Sequence, residues 1–240
     1  MHHAVRISSI VSAAVLCGCG ALPGAAAAAT GASAPATMRG DVAAPPTSQY
    51  FAGYTAPLTA KKSVEATITV PTLQCGAETQ GVDTDVELSA NHGAIYSDGA
   101  IISHCLGGTP EHQVRFESSI DGQVAIEQPV LDGDKIHISQ VFKRGKIVVT
   151  MTNMTQDWSV KHTFTGITPD EAAVQYYRII VGGQDAPPLD TGATVKGARV
   201  GGAPLETTHP VKTTLVDAQG KPLVEPSAIK KTNFKFVYVG

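Results

Sequence analysis

The sequence predicts an all-β protein, most simply a β-sandwich of two packed antiparallel sheets. Three observations point there. Short runs alternate apolar and polar residues, as in Ser63–Val70, where Val64, Ala66, Ile68 and Val70 share one face. Turns rich in Gly and Asp join these runs, at Asp132-Gly133-Asp134, Lys143-Arg144-Gly145 and Asp217-Ala218-Gln219-Gly220. No stretch supports a helix of more than two turns.

The first 30 residues read as an export signal rather than part of the fold. Arg6 is the one firm charge of a short leading region, Ile7–Leu16 is apolar, and an alanine run follows at Ala25–Ala29. The apolar stretch is too short for a membrane span. Two processing routes fit. Leu16-Cys17-Gly18-Cys19 has the form of a bacterial lipobox, with Cys19 as the lipidated residue; an Ala-x-Ala site near residue 29 would instead release the chain. Either way the expected location is secreted, periplasmic or envelope-anchored, with membrane attachment through a lipid only.

Residues 31–48 are mostly Ala, Pro, Gly, Ser and Thr with little to bury, which predicts a low-complexity linker. Residues 49–240 are long enough for one β domain. The formal net charge of −3, with signs mixed along the chain, argues against nucleic acid as a partner.

Along that domain the expected strands are Ser63–Val70, Thr84–Leu88, the hairpin around residue 107, Val124–Leu131, Lys135–Phe142, Lys146–Thr152, Ser159–Phe164, Val211–Val216 and Phe234–Val239. Turn signals mark Gly93–Gly99, and Trp158 falls in the turn before Ser159–Phe164. Thr168-Pro169-Asp170-Glu171 has the marks of a helix start, with Pro first and acids behind it. The β-branched and aromatic Val174–Val181 that follows predicts a strand after a single helical turn.

The hairpin at Ala100–Glu117 gathers the reactive side chains: Ser103, His104, Cys105, His112, Arg115 and Glu117. Outside the signal only Cys75 and Cys105 remain, and in an exported protein they pair as a disulfide. The competing reading, a metal site from Cys105 with His92, His104 and His112, matches no standard zinc spacing, so no metal and no cofactor is expected. Ser103 and His104 are adjacent on a strand and point to opposite faces, which rules them out as a nucleophile–base pair. His137 and His162 read as ordinary strand residues, and Tyr176 and Tyr177 as sheet packing on opposite faces.

The ordered pieces resemble the glutamic peptidases, the G1 family, formerly A4, also called eqolisins. Tyr50-Phe51-Ala52-Gly53-Tyr54 resembles that family's opening N-W-A-G-Y, and Cys105 with Gly107-Gly108-Thr109-Pro110 and Arg115-Phe116-Glu117 its C-x-G-G-T-P segment leading to a Tyr-Glu strand. Gly133-Asp134-Lys135-Ile136, Asn153-Met154-Thr155, Pro188-Leu189 and Leu223–Ala228 follow in order. The resemblance implies a sandwich of two bent sheets with the active site on a concave face. It also implies a glutamate acting as general base and then acid, and a glutamine holding the oxyanion.

Both implied positions depart from the pattern. Where the glutamine belongs, on the strand before Cys105, stands Ser97, Asp98 or Ser103. Where the glutamate belongs, on Val174–Val181, stands Gln175 or Arg178. Neither Gln175 nor Arg178 can activate water. Candidate site residues are therefore Glu117, Ser103, Arg178 and Gln175, with Glu117 either a strand carboxylate paired to Arg115 or Arg178, or a relocated base. Three functions follow as expectations. The first is a non-catalytic, exported monomer that binds a peptide, protein, glycan or envelope component in its groove. The second is an endopeptidase with a rebuilt site, and the third a structural envelope lipoprotein.

Overall fold

The computed structural model describes residues 46–76, 80–181, 184–185 and 192–240. The expected signal, Cys19 and most of the expected linker lie outside them. The strands run in chain order as β1 Thr47–Ser48, β2 Phe51–Pro57, β3 Ser63–Thr69, β4 Gln80–Ala90, β5 Ile95–Leu106, β6 Thr109–Ser118, β7 Gly122–Ile126, β8 Lys135–Lys143 and β9 Lys146–Asn153. They continue as β10 Trp158–Thr165, β11 Glu171–Tyr177, β12 Ile180–Val181, β13 Gln184–Asp185, β14 Thr194–Val200, β15 Ala203–Pro204, β16 Val211–Val216, β17 Pro222–Pro226 and β18 Phe234–Tyr238. Among the described residues the only helix is a 3₁₀ turn at Leu205–Thr208.

Two sheets form an all-β sandwich. The first has the order β16-β2-β11-β4-β5-β6-β7 and the second β10-β9-β8-β3-β14-β18; β17 pairs with both β16 and β18 and carries the ladder around the corner between them. Alternation supplies the core. Val82, Val86 and Leu88 of β4 and Ile101 of β5 point inward, and Ile136, Ile138, Val149 and Met151 meet them from β8 and β9. Gly99 marks how closely the sheets approach, since a Cβ there would lie 2.8 Å from Ile138 Cγ2. Across the same interface Gln140, fully buried, accepts from the Ser97 hydroxyl at 2.9 Å and donates to the carbonyls of Ser97 and Val86. Tyr54 packs edge-on against Phe234, and Tyr176 packs at a tilt against Phe236.

Cys75 and Cys105 form the expected disulfide, 30 residues apart in sequence. Closing a loop of that length contributes roughly 3–4 kcal/mol.

Several local expectations are corrected. The Thr168–Glu171 segment forms no helical turn. Instead the Asp170 N–H donates to Ser89 O and its carbonyl accepts from Leu58 N, so sheet pairing claims the groups that a helix would have used. The following strand is Glu171–Tyr177, not Val174–Val181; it breaks at Arg178, whose N–H donates to Tyr50 O. The first long hairpin turns at residues 91–94, where Asn91 and His92 both take positive φ, and Ile95 already belongs to β5. Val124–Leu131 is strand only as far as Ile126, before Pro129 can disrupt the ladder. Trp158 opens β10 instead of sitting in the turn, its indole N–H donating to Pro129 O at 2.9 Å.

Candidate functional site

Strand register sorts the candidate residues onto two faces. The face of the first sheet turned away from the core is built in cross-strand rows. One row reads Ala173, Glu87, Asp98, Glu117 and Gln123 across β11, β4, β5, β6 and β7. The next reads Gly53, Gln175, Asp85, Ala100 and Arg115 from β2 to β6. A third holds Tyr177, Asp83, Ile102 and Gln113. Asp83, Asp85, Glu87, Asp98 and Glu117 thus share one face, and each is buried, with at most 4% of its surface exposed. Directly opposed side chains on neighbouring strands have Cβ atoms about 5 Å apart, so Glu87, Asp98 and Glu117 are carboxylate neighbours in sequence across three strands.

Arg115 stands in the middle row and reaches both flanking ones. Its Nη2 lies 2.5 Å from Asp83 Oδ2 and its Nε 2.9 Å from Glu117 Oε2. Glu117 also accepts from the Tyr96 hydroxyl at 2.7 Å and from Gln123 Nε2 at 3.2 Å. The retained acid is therefore held by a guanidinium, a phenol and an amide. That arrangement fixes the carboxylate in place as a hydrogen-bond acceptor.

Gln175 is the residue of β11 on this outer face, at the centre of these rows. It is 5% exposed, and among the described residues its Oε1 has no hydrogen-bond partner. Its side chain lies over Gly53: a Cβ on that glycine would come within 2.5 Å of Val174 O and 3.0 Å of Gln175 Cγ. The glycine in the Tyr50–Tyr54 run thus serves to let Gln175 lie flat across β2.

The structure separates the remaining candidates. Of the three residues considered on the strand before Cys105, Asp98 faces the carboxylate rows. Ser97 and Ser103 face the core, where Ser97 holds Gln140 and Ser103 holds His112. Ser103 Oγ lies 2.8 Å from His112 Nδ1, and His112 Nε2 lies 2.7 Å from Asp132 Oδ1, which also accepts from Leu73 N. The side chains follow the order of a hydrolase triad, but Ser103 is buried on the face turned toward the core between the sheets, so no substrate reaches its oxygen. Arg178 lies just past the end of β11, outside its ladder with β2 and β4.

His104, on the groove face, bonds Glu111 at 3.1 Å. Cys105 is spent in the disulfide, and among the described residues no group of three or more His, Cys, Asp and Glu side chains is arranged to hold a metal. Tyr54 is the titrating group whose shift stands out: burial raises its phenol above the usual 10.0, and its hydroxyl donates to Ser227 O at 2.9 Å.

The acids of β4 were missed in the sequence, although the signal was present. Asp83, Asp85 and Glu87 are spaced by two within a run whose other positions are Val82, Thr84, Val86 and Leu88. That spacing puts all three acids on one face of a strand.

The fold compares closely with solved glutamic peptidases. Scytalido-glutamic peptidase, solved with a peptide-based transition-state analog, superposes with a TM-score of 0.63 at 14% identity, over 80% of this chain and 98% of that one. The SCP-B structure, described as an eqolisin family member in complex with the tripeptide Ala-Ile-His, gives 0.61 at 14% identity, over 80% and 98%. Aspergilloglutamic peptidase from Aspergillus niger gives 0.55 at 19% identity, over 67% and 99%. Among curated protein sequences no match was found. The sequence profile of the Peptidase A4 family matches residues 49–176, a span that takes in β2 through β10 and all of β11 but its last residue. This chain therefore belongs to the Peptidase A4 family.

Proposed function

We propose that this is an exported member of its family that holds a ligand in the groove of the first sheet without hydrolysing it by the glutamate–glutamine route. The observation that carries this reading is Gln175. On the strand where the resemblance places the catalytic glutamate, the central groove-facing side chain is a carboxamide, which cannot take a proton from water. Glu117 does not replace it, because it is ion-paired with Arg115 and accepts from Tyr96 and Gln123. The ligand class follows from the relatives: the SCP-B structure holds a tripeptide, which favours a peptide segment as the ligand here.

The test uses the full-length protein, with a denatured protein as substrate from about pH 2 to pH 8. The expected result is no cleavage at any pH, together with binding of peptides that Gln175→Glu alters. Cleavage abolished by Asp98→Asn would overturn the reading.

That outcome would instead support a rebuilt acid site, which the placement of Asp98 favours. Asp98 occupies the groove face of the strand where the resemblance places a glutamine, and Gln175 the strand where it places a glutamate. The acid and the amide would then have exchanged strands, with Asp98 as base and Gln175 as oxyanion donor.

A further inference from the structure

We infer that the outer face of the second sheet is a docking surface for an acidic polysaccharide. This goes beyond the groove reading and concerns the opposite side of the sandwich. Register places Lys135 and Lys143 of β8, Lys146 of β9, Lys161 of β10, Lys196 and Arg199 of β14 and Lys235 of β18 on this one face. Glu65 is the acid among them on the strands, and it is already engaged, with Arg199 at 3.9 Å and His137 at 4.0 Å. Asp157 stands at the rim, in the β9–β10 turn. A chain with net charge −3 therefore carries a strongly cationic face, while its acids collect on the groove face of the other sheet.

The cations form a border. Lys196 and Arg199 lie along one side and Lys161 along the other, with Lys135 near one end and Lys143 and Lys146 at the other. The floor between them is hydroxyl-rich: Thr67, Ser139, Thr150 and Thr152 run across β3, β8 and β9. From β14 to β10 the face spans five strands, roughly 20 Å, and same-face side chains repeat at about 7 Å along each strand. A flat hydroxyl floor bordered by ammonium and guanidinium groups matches a sugar chain bearing carboxylates or sulfates. Hydroxyls bond to hydroxyls, and the spaced anions meet the border. A lipid surface fits less well, because on the strands from β14 to β10 the large apolar groups exposed are Val141 and Val148, with no exposed aromatic or long aliphatic side chain to insert. Nucleic acid lacks aromatic platforms here.

The experiment measures binding of the full-length protein to polygalacturonate, dextran sulfate and neutral dextran by titration calorimetry, and to anionic phosphatidylglycerol vesicles by sedimentation. The expected result is binding to both acidic polymers, none to neutral dextran, and loss of binding at high salt. Lys135→Glu/Lys161→Glu should weaken it about tenfold or more, while Lys221→Glu/Lys230→Glu, with the same charge change elsewhere, should leave it within about twofold. Lys161→Gln alone, at an exposed edge, should weaken it about two- to threefold and guards against a folding defect in the double variant. An unchanged affinity in both Lys161 variants would overturn the assignment, as would binding confined to the vesicles.

Discussion

The Ser103 hydroxyl lies 2.8 Å from His112 Nδ1 on the inner face of the β5–β6 hairpin, sealed from solvent, with Asp132 on the far side of the ring. Asp132 accepts from both His112 and Leu73 N, so this relay ties the hairpin to the segment leading to Cys75 and to the turn before β8. Its role is cohesion. Ser103→Ala should cost about 1–3 kcal/mol in chemical denaturation, because His112 Nδ1 loses its partner. Groove binding should be unchanged, and a serine-directed phosphonate should not label the native protein. Labelling at Ser103 would contradict this.

Arg115 bridges two acids on one sheet face, Asp83 and Glu117, whose side chains are 1% and 6% exposed. Arg115→Met should destabilise the fold by about 3–5 kcal/mol, since both carboxylates keep their burial and lose their cation. Replacing all three, as Arg115→Met with Asp83→Leu and Glu117→Leu, should recover most of that loss in the same denaturation experiment. A single variant with wild-type stability would show that the bridge carries little.

Gly53 is glycine because Gln175 and the β11 backbone occupy the place of its side chain. Gly53→Ala should cost about 1–3 kcal/mol and displace Gln175. Peptide affinity should fall by a larger factor than it does in Gly76→Ala, where a Cβ would meet nothing within 4 Å. Equal effects at the two glycines would separate Gly53 from the groove.

Tyr54 offers a pH test. Its phenol is raised above 10.0 by burial, so the folded chain keeps this proton more tightly than the unfolded chain does. The stability that Tyr54 contributes is therefore fully present below the ordinary phenol range and is lost as pH rises through the folded value. In an ultraviolet titration Tyr54 should ionise above the ordinary phenol range. Tyr54→Phe should remove the late-titrating step and flatten the alkaline fall in stability.

Much of the fold was legible because most strands obey a two-residue alternation, as Ser63–Thr69 and Lys146–Asn153 do. β14 escaped because Gly197, at φ 68°, sits within a break of register between Lys196 and Arg199, so Val195, Ala198 and Val200 do not alternate simply. β17 begins and ends with proline, which reads as loop until the partner strands are known. For the site, sequence picked out Glu117 and Gln175, which lie on one sheet face, but not their surroundings. That Arg115 faces Glu117 follows from spacing, whereas its bond to Asp83 depends on three strands coming together in one register. The choice among Ser97, Asp98 and Ser103 needed only the pleat: Asp98 lies an odd number of residues from both serines and faces away from them.

The continuous hydrogen-bonded path from β10 around the corner to β7 leaves its open edges at those two strands. An open edge is a template for a second copy of the chain. β7 limits the hazard by being five residues long and starting at Gly122, while β10 is eight residues long and carries Lys161 near its middle. The charge that borders the cationic face thus also keeps molecules from joining strand to strand. An apolar residue at 161 would leave the β10 edge open to aggregation even with the fold intact.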